Sequence, residues 1–243
     1  MKEGGKILAE ILRYTGSLVK PGVSVYFLNE EAERLATLHK AKPAFKHYRV
    51  RGLTPYPCGL CVSLNEEVVH GFGSRQIVLK EGDMLGLDMG LEYKGRFTDH
   101  AITVPVGEVG KETKKLIRIT EEALYQGIKQ VAPGKPLVNV SRAVQEYVEK
   151  NGFSIVKQLV GHGVGFAVHE DPPVPNFVEP GWFQPFTMEK GLVIAIEPMV
   201  TAGSWQVCTD KDGWTVRTCD GSLAAHFEHT VAVTEGGYEI ITK

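Results

Sequence analysis

Four short apolar runs in this sequence each begin or end with an acidic residue, and this feature restricts the fold more than any other. The runs cover residues 84–88, 99–104, 193–197 and 228–233, and their length and composition are typical of buried strands. Their acids are Asp88, Asp99, Glu197 and Glu228. An unpaired buried carboxylate costs many kcal/mol, so a fold that buries these strands must give the acids a partner.

Side chains alternate between the two faces of a strand, so each acid shares its face with the residues two positions away. The neighbours on the acid's face are small: Gly86, Ala101, Thr103, Ala195, Thr230 and Ala232. The residues on the other face are bulky: Leu85, Leu87, Ile102, Val104, Ile194, Ile196, Val231 and Val233. We therefore expect the bulky faces to pack under helices and the small faces to leave space beside the carboxylates. Acids that only end strands at the solvent boundary would not repeat this pattern four times.

The dipeptide Lys94-Gly95 indicates a tight turn between Asp88 and Asp99. In a hairpin closed at this turn, the two acids lie opposite each other or one diagonal step apart. Either register puts both on one face. Two carboxylates at such a short distance need a shared proton or a bound cation between them.

The helical spacing of apolar residues predicts two pairs of helices, and each pair is followed by strands. The first helix covers residues 1–20 and is followed by Pro21-Gly22, and the third ends at Pro133-Gly134. We expect a single α+β domain over residues 1–243, built from a duplicated unit with a repeat of roughly 1–108 and 109–243. The alternative is that Pro-Gly only punctuates unrelated helices.

Histidine adds a further candidate ligand. His162 lies in the segment Gly-His-Gly-Val-Gly, residues 161–165, whose glycines let backbone or substrate approach closely. With the four acids it would form an oxygen-rich site for divalent ions such as Mn, Fe(II), Co or Zn. Two such ions activate a water and polarise a carbonyl in aminopeptidases and phosphatases. A phosphate loop is disfavoured, because the segment lacks basic residues and the G-x-G-x-x-G pattern.

The other histidines differ in their relation to the strands. His70 precedes Gly71 and is a weaker candidate for the site. His100 and His229 each follow an acid by one residue, so strand alternation directs them to the opposite face.

Composition excludes several classes of function. The net charge is −2, with 27 basic and 29 acidic residues and no basic stripe, so no specific nucleic-acid partner is expected. No apolar run approaches the ~18 residues of a membrane span. Glu10 and Arg13 interrupt the first apolar stretch, which predicts an amphipathic helix and not a signal peptide. Four cysteines in 243 residues do not make a disulfide scaffold, which favours a reducing, cytoplasmic compartment.

The order of these motifs resembles type I methionine aminopeptidase, a metallopeptidase family with the pita-bread fold. The resemblance covers residues 6–242 and includes all five candidate ligands in the family's order. The motifs that carry it are CVSLNEEVVHG at 61–71, the Asp88 and Asp99 pair, GHGVGFAVH at 161–169, IEPM at 196–199, DGWTV at 212–216 and FEHT at 227–230. It implies a pseudo-twofold α/β fold with a central antiparallel sheet covered by helices. The implied activity is removal of the N-terminal methionine from nascent proteins when the next residue is small.

The resemblance also implies a role for each ligand in a site for two divalent ions (Co, Mn, Fe(II) or Zn). Asp88 would chelate one ion, and Asp99 and Glu228 would bridge both. His162 and Glu197 would complete the second site, and Glu197 would also move the proton of the bridging water. The implied enzyme is of the bacterial type, a cytoplasmic monomer whose partners are nascent polypeptide N-termini and, as a further candidate, the ribosome.

Substrate contacts follow from the same resemblance. His70 and His169 would contact the peptide, with His169 near the developing oxyanion. Tyr56, Cys61 and Trp214 would line the pocket for the methionine side chain.

Four positions depart from the family pattern. Leu53 and Thr54 replace a pair that is usually aromatic then His, Val168 stands where Phe is common, and Gly90 stands where Thr or Ser is common. These departures predict a pocket with fewer aromatic residues.

The motif Cys58-Gly-Leu-Cys61 could instead bind zinc or carry thiol chemistry. A structural zinc would need a second close pair, and Cys208 and Cys219 are eleven residues apart. We therefore favour Cys61 as pocket lining and Cys58 as its neighbour.

Three alternative functions can be weighed against this one. A proline-specific peptidase of the same fold usually has an extra N-terminal domain and a further His where residues 158–160 read Gln-Leu-Val. A non-catalytic binding protein on this scaffold would have lost metal ligands, and all five are present. A two-metal phosphohydrolase would favour basic residues around the site, and none flank these motifs.

Overall fold

The structure is a computed structural model, and it describes residues 1–179 and 185–243. The helices are α1 (Lys2–Ser17), α2 (Val25–Leu38), α3 (Lys111–Ile128) and α4 (Val138–Lys150). The strands are β1 (Lys42–Pro43), β2 (Cys61–Leu64), β3 (Glu67–Val69), β4 (Met84–Tyr93), β5 (Arg96–Pro105), β6 (Ser154–Ile155), β7 (Gly161–Gly163), β8 (Glu170–Val174), β9 (Val193–Ile196), β10 (Met199–Thr201), β11 (Val207–Thr209), β12 (Val216–Thr218), β13 (Ala224–His226), β14 (Glu228–Thr234) and β15 (Gly237–Ile240). The two predicted helix pairs are confirmed, although α1 ends before Lys20. The strand around Asp88 is longer than predicted, so this acid lies within β4 and not at its end.

The main sheet is antiparallel and has the strand order β1-β4-β5-β14-β9-β7-β8. Strand β2 also pairs with β4, and β15 pairs with β14. Smaller sheets join β13-β10-β6 and β11-β12-β3. The predicted α+β class with a central antiparallel sheet is confirmed.

The hairpin of β4 and β5 has the predicted tight turn. Its central residues, Lys94 and Gly95, have φ values of 51° and 70°, which is the positive-φ geometry of a type I′ turn. The register pairs Asp88 with Ala101 and Gly90 with Asp99. The two acids are therefore one diagonal step apart on the same face, which is the second of the two predicted registers.

The bulky face of the sheet packs against the helices, as predicted. Around α1 and α2, the first core cluster includes Ile7, Leu8, Ile11, Leu12, Leu28, Leu85, Leu87 and Met89. Against α3 and α4, the second includes Leu124, Ile128, Val140, Ile194, Ile196, Val231 and Val233. Burying one such side chain contributes roughly 1.5–3 kcal/mol, so these clusters fix which face of each strand stays free of helices.

Two cysteines form a disulfide that the sequence analysis did not expect. Strands β11 and β12 pair with Cys208 opposite Arg217, and this register brings Cys208 and Cys219 to a Cα–Cα distance of 5.3 Å, where they are bonded. The eleven-residue separation of these cysteines along the chain did not indicate how close they are in space, because the hairpin of β11 and β12 brings them together. Within residues 1–179 and 185–243, no helix is long and apolar enough to cross a membrane.

Candidate metal centre and adjoining pocket

Five consecutive strands of the main sheet each bring one candidate ligand to the same place. In sheet order the ligands are Asp88 on β4, Asp99 on β5, Glu228 on β14, Glu197 directly after β9, and His162 on β7. Because neighbouring strands lie about 4.8 Å apart, one ligand per strand produces a row of donors across the sheet. The fold thus brings together all five residues that the sequence singled out.

The donor atoms form two overlapping groups. Oxygens of Asp88, Asp99 and Glu228 lie within 4.8 Å of one another, and so do atoms of His162, Glu197 and Glu228. The imidazole Nε2 of His162 is 3.5 Å from Glu197 Oε1 and 3.8 Å from Asp99 Oδ2. Glu228 belongs to both groups, so its carboxylate would help to hold a cation in either of them.

The electrostatics of the four acids require a partner. Burial raises the pKa of Asp88 to about 7. Burial, followed by repulsion from neighbouring carboxylates, raises the pKa values of Asp99, Glu197 and Glu228 well above their ordinary values. Among the described residues, Asp88 Oδ1 and Glu228 Oε1 have no hydrogen-bond partner. Divalent cations fit this donor set, since they would neutralise the acids and coordinate these oxygens.

His162 has the tautomer and charge state of a metal ligand. Its Nδ1 lies 2.8 Å from the carbonyl oxygen of Gly163, so an Nδ1–H donates there and leaves the Nε2 lone pair directed at the acids. Burial is the main cause that lowers the pKa of His162 to about 4, so the ring is neutral at pH 7.

Asp99 is held by the neighbouring strand. Thr230 on β14 donates from Oγ1 to the Asp99 carbonyl oxygen at 2.8 Å and accepts from the Asp99 backbone N–H at 2.9 Å. On the other face, His100 and His229 stack with ring centroids 4.6 Å apart. Strand alternation predicted that both side chains point away from the acids, and they lie on that opposite face.

A cavity of about 240 Å³ adjoins the metal centre. Its lining includes Tyr56, Cys61 and Trp214, which the resemblance implied. The rings of Tyr56 and Trp214 meet edge to face at 5.3 Å, and Trp214 Nε1 donates to the Thr54 carbonyl oxygen at 2.8 Å. The mostly apolar wall beside carboxylates suits a ligand with an uncharged side chain and one polar end.

Three residues of the pocket wall were not identified from the sequence: Phe45, Tyr48 and Val50. Two of them, Phe45 and Tyr48, are aromatic, and they join Tyr56 and Trp214 in the pocket wall. They precede the first motif strand, β2, and carry no periodic signal of their own. Of the departing positions, Val168 is buried in the same apolar cluster as Phe45.

The departure at Gly90 has a physical reason. A Cβ at this position would lie 2.7 Å from Phe45 Cε1 and 3.1 Å from Ala44 Cβ. Glycine therefore leaves the space into which the Phe45 ring packs against β4.

Replacing Gly90 by alanine should lower the free energy of unfolding by about 1–3 kcal/mol, the usual cost of overpacking a core. Gly86→Ala is the matched control on the same face of β4, because its nearest contact would be Ser63 at 3.6 Å. Denaturant titration of both variants measures the difference. Equal stability of the two variants would contradict the packing argument.

Two histidines flank the cavity. His70 has its ring centroid 6.4 Å from that of Trp214, and burial is the main cause that lowers its pKa to about 4. His169 accepts or donates at Nδ1 with the Tyr48 hydroxyl at 3.0 Å, and its ring lies 4.5 Å from that of His162. An atom of His169 is also within 4.8 Å of atoms of Asp99 and His162. The structure thus brings both predicted substrate-contact residues to the pocket.

The cysteine motif contributes Cys61 to this wall, and Cys58 is buried beside it. Cys58 Sγ accepts from the Gly73 backbone N–H at 3.1 Å, and Cys61 pairs with Asp88 across β2 and β4. No candidate metal group in the described part of the chain contains a cysteine. The preference for Cys61 as pocket lining therefore agrees with its position.

A further histidine near the acids was missed. His226 is buried, and its Nε2 is 3.7 Å from Glu197 Oε2. It precedes the ligand Glu228 by two residues, and this closeness in sequence is a signal that could have identified it.

Comparison with known proteins agrees with this geometry. The model of metallopeptidase family M24 matches residues 1–235. The methionine aminopeptidase of Clostridium perfringens is 46% identical over 243 residues, which cover all of this chain and 94% of the relative. Methionine aminopeptidase 1 of Bacillus subtilis is 46% identical over 245 residues, with 100% and 95% coverage.

Solved structures give the same result. The crystal structure of methionine aminopeptidase from Thermotoga maritima has a TM-score of 0.94 and 44% identity, covering all of this chain and 95% of that one. Xaa-Pro dipeptidase from Bacillus anthracis has a TM-score of 0.77 and 22% identity, covering 100% of this chain and 59% of that one, and shows the shared fold alone. These neighbours confirm the predicted pita-bread fold.

Proposed function

Because this chain belongs to metallopeptidase family M24, we propose that it is a metal-dependent methionine aminopeptidase that acts on nascent polypeptides. The observation that carries the proposal is the row of five ligands beside a mostly apolar cavity. The relatives named methionine aminopeptidase match it over its whole length at 46% identity.

Each residue of the site takes a role that its position supports. Asp88, Asp99, His162, Glu197 and Glu228 would hold two divalent ions, and the bound ions would supply an activated water and polarise the scissile carbonyl. Glu197 accepts a proton from the attacking water and delivers it to the leaving amine. The fit rests on the unpartnered carboxylate oxygens and on the neutral, oriented imidazole.

The methionine side chain enters the cavity lined by Tyr56, Cys61 and Trp214. An unbranched thioether suits such a wall, because sulfur makes favourable contacts with aromatic ring edges. Its scissile carbonyl then lies at the metal centre, and the next residue begins between His70 and His169. The match to relatives named methionine aminopeptidase at 46% identity favours methionine removal over the proline-specific alternative. The five retained ligands favour it over the non-catalytic alternative.

The cellular location, the oligomeric state and the substrates are part of the same proposal. The enzyme works as a cytoplasmic monomer and meets its substrates as they leave the ribosome. Nascent chains with a small second residue are the substrates.

A peptide assay tests the activity and its selectivity. Met-Ala-Ser should be cleaved with a kcat/KM about 10²-fold or more above that of Met-Lys-Ser, because the resemblance to methionine aminopeptidases implies a site that crowds the second side chain. Release of methionine is measured by chromatography at several substrate concentrations. Equal rates on the two peptides would refute the selectivity, and no cleavage of either by metal-loaded protein would refute the activity.

His169 provides a second test, since we place its imidazole beside the carbonyl oxygen that becomes negative in the transition state. His169→Ala should lower kcat by about 10²–10³, the usual cost of losing one such donor. Tyr48→Phe, which removes only the hydroxyl 3.0 Å from Nδ1, should have a smaller effect.

Metal content of the His169 variant decides between two roles for this residue. Its proximity to Asp99 and His162 would also allow coordination. Bound metal should remain at the wild-type level if His169 contacts only the substrate. Parallel loss of metal and activity would reassign it to the ligands.

A further inference from the structure

One buried histidine beside the metal centre has no part in the proposed reaction. His226 is 4% exposed, and its Nε2 lacks a hydrogen-bond partner among the described residues. A buried polar nitrogen left in this state costs about 1–3 kcal/mol, so its retention needs an explanation.

The backbone of His226 is fixed from two sides. In β13 it pairs with Met199 of β10. The Thr103 hydroxyl donates to the His226 carbonyl oxygen at 2.7 Å and accepts from the His226 N–H at 3.0 Å. The ring is therefore presented to the acids by a rigid part of the sheet and not by a loop.

The two oxygens of Glu197 face different histidines. Oε1 is 3.5 Å from Nε2 of the ligand His162, and Oε2 is 3.7 Å from Nε2 of His226. The second distance exceeds a normal N–H···O hydrogen bond by about 0.8 Å. No group of candidate ligand atoms in the described chain includes His226, so it lies beside the metal centre and not within it.

We propose that His226 is a positioning residue: in the metal-loaded protein its Nε2–H would close the 3.7 Å gap and donate to Glu197 Oε2, which would keep Oε1 on the side of His162. A ligating carboxylate depends on such outer hydrogen bonds for its orientation. The same contact fixes the carboxylate that moves the proton, so this inference rests in part on the proposed function.

Two substitutions of His226 distinguish a role as hydrogen-bond donor from a role that only fills space. His226→Leu fills a similar volume without a donor, and His226→Gln keeps an N–H that reaches a similar position. We expect His226→Leu to lose 10–100-fold in Mn²⁺ affinity or in kcat for Met-Ala-Ser, the usual range for outer partners of a metal site. KM should change less than kcat, and His226→Gln should restore most of the loss.

Calorimetric titration of the metal-free proteins with Mn²⁺ measures affinity without any peptide. This measurement keeps its meaning if Met-Ala-Ser is not a substrate, so the two proposals can fail separately. Wild-type affinity and kcat in His226→Leu, or equal losses in the Leu and Gln variants, would overturn the positioning role.

A double-variant cycle tests whether His226 acts through Glu197. In a Glu197→Gln background, His226→Leu should cause little further loss, because the carboxylate it orients is already absent. Additive losses in metal affinity and kcat would show that His226 acts by another route and would overturn the proposal. Thermal unfolding identifies any variant that has lost the fold. If His226→Leu has lost it, the comparison of His226→Gln with the wild-type protein decides whether an N–H donor at this position is sufficient.

Discussion

Removing divalent metal with a chelator should abolish peptide cleavage, and adding Mn, Co or Fe(II) should restore it. Three buried acids and the half-buried Glu197 line this site, and loss of solvation raises the pKa of each one. Without a cation, protons must neutralise them, and a protonated site has neither the activated water nor a base. Methionine release from Met-Ala-Ser, measured with the metal content of the same sample, is the test. Full activity in metal-free protein would refute the metal dependence.

The same acids predict how metal binding varies with pH. Asp88 has a pKa of about 7 in the fold, against an ordinary value of 3.8. When folding raises the pKa of a carboxyl group, that group does not destabilise the folded protein at a pH below its ordinary pKa. The folded protein loses stability as the pH rises through the pKa that the group has in the fold. Metal-free protein therefore carries the largest charge penalty from these acids above pH 7.

A cation relieves that penalty, and below pH 7 it must also displace protons from the acids. The increase in Tm on adding Mn²⁺ should therefore be larger at pH 8 than at pH 6. An increase that is the same or larger at pH 6 would contradict the assignment of the metals to these carboxylates.

Much of the site could be predicted from the sequence because strand alternation is a strict local rule. Small residues beside each acid and bulky residues opposite identified the face that helices do not cover. The Lys94-Gly95 turn then limited Asp88 and Asp99 to two registers, and the structure has the diagonal one. The predicted internal duplication remains a prediction, although each helix pair is indeed followed by strands of the main sheet.

What the sequence could not provide depends on contacts between distant segments. Phe45 lines the pocket only because Gly90, on another strand, leaves room for its ring. His226 gains its neighbour from the packing of β13 beside the end of β9, a contact between residues 29 positions apart along the chain (226 − 197). Cys208 and Cys219 meet because of a hairpin register that no residue spacing specifies. Long-range packing of this kind has no local signature.

The substitution Glu197→Gln should keep the fold and at least one metal, yet lower kcat by about 10²–10⁴-fold, the usual contribution of general acid–base catalysis. The glutamine amide has the size of the glutamate side chain and keeps one oxygen that can act as a ligand. In the wild-type protein the corresponding oxygen, Oε1, is 3.5 Å from His162 Nε2. The amide cannot accept a proton. Loss of kcat without loss of fold therefore isolates the proton transfer from coordination.

Glu189→Gln is the matched control, because this exposed glutamate lies just before β9 and its side chain is away from the cavity lining. Its kcat should be unchanged. Bound metal and kcat must be measured on the same Glu197→Gln sample, since loss of both metals would reduce the rate for a different reason. If the variant retains metal and a near wild-type kcat, Glu197 is a ligand only and the proton must move through another group. One candidate would then be His169, which lines the cavity and has its ring centroid 4.5 Å from that of His162.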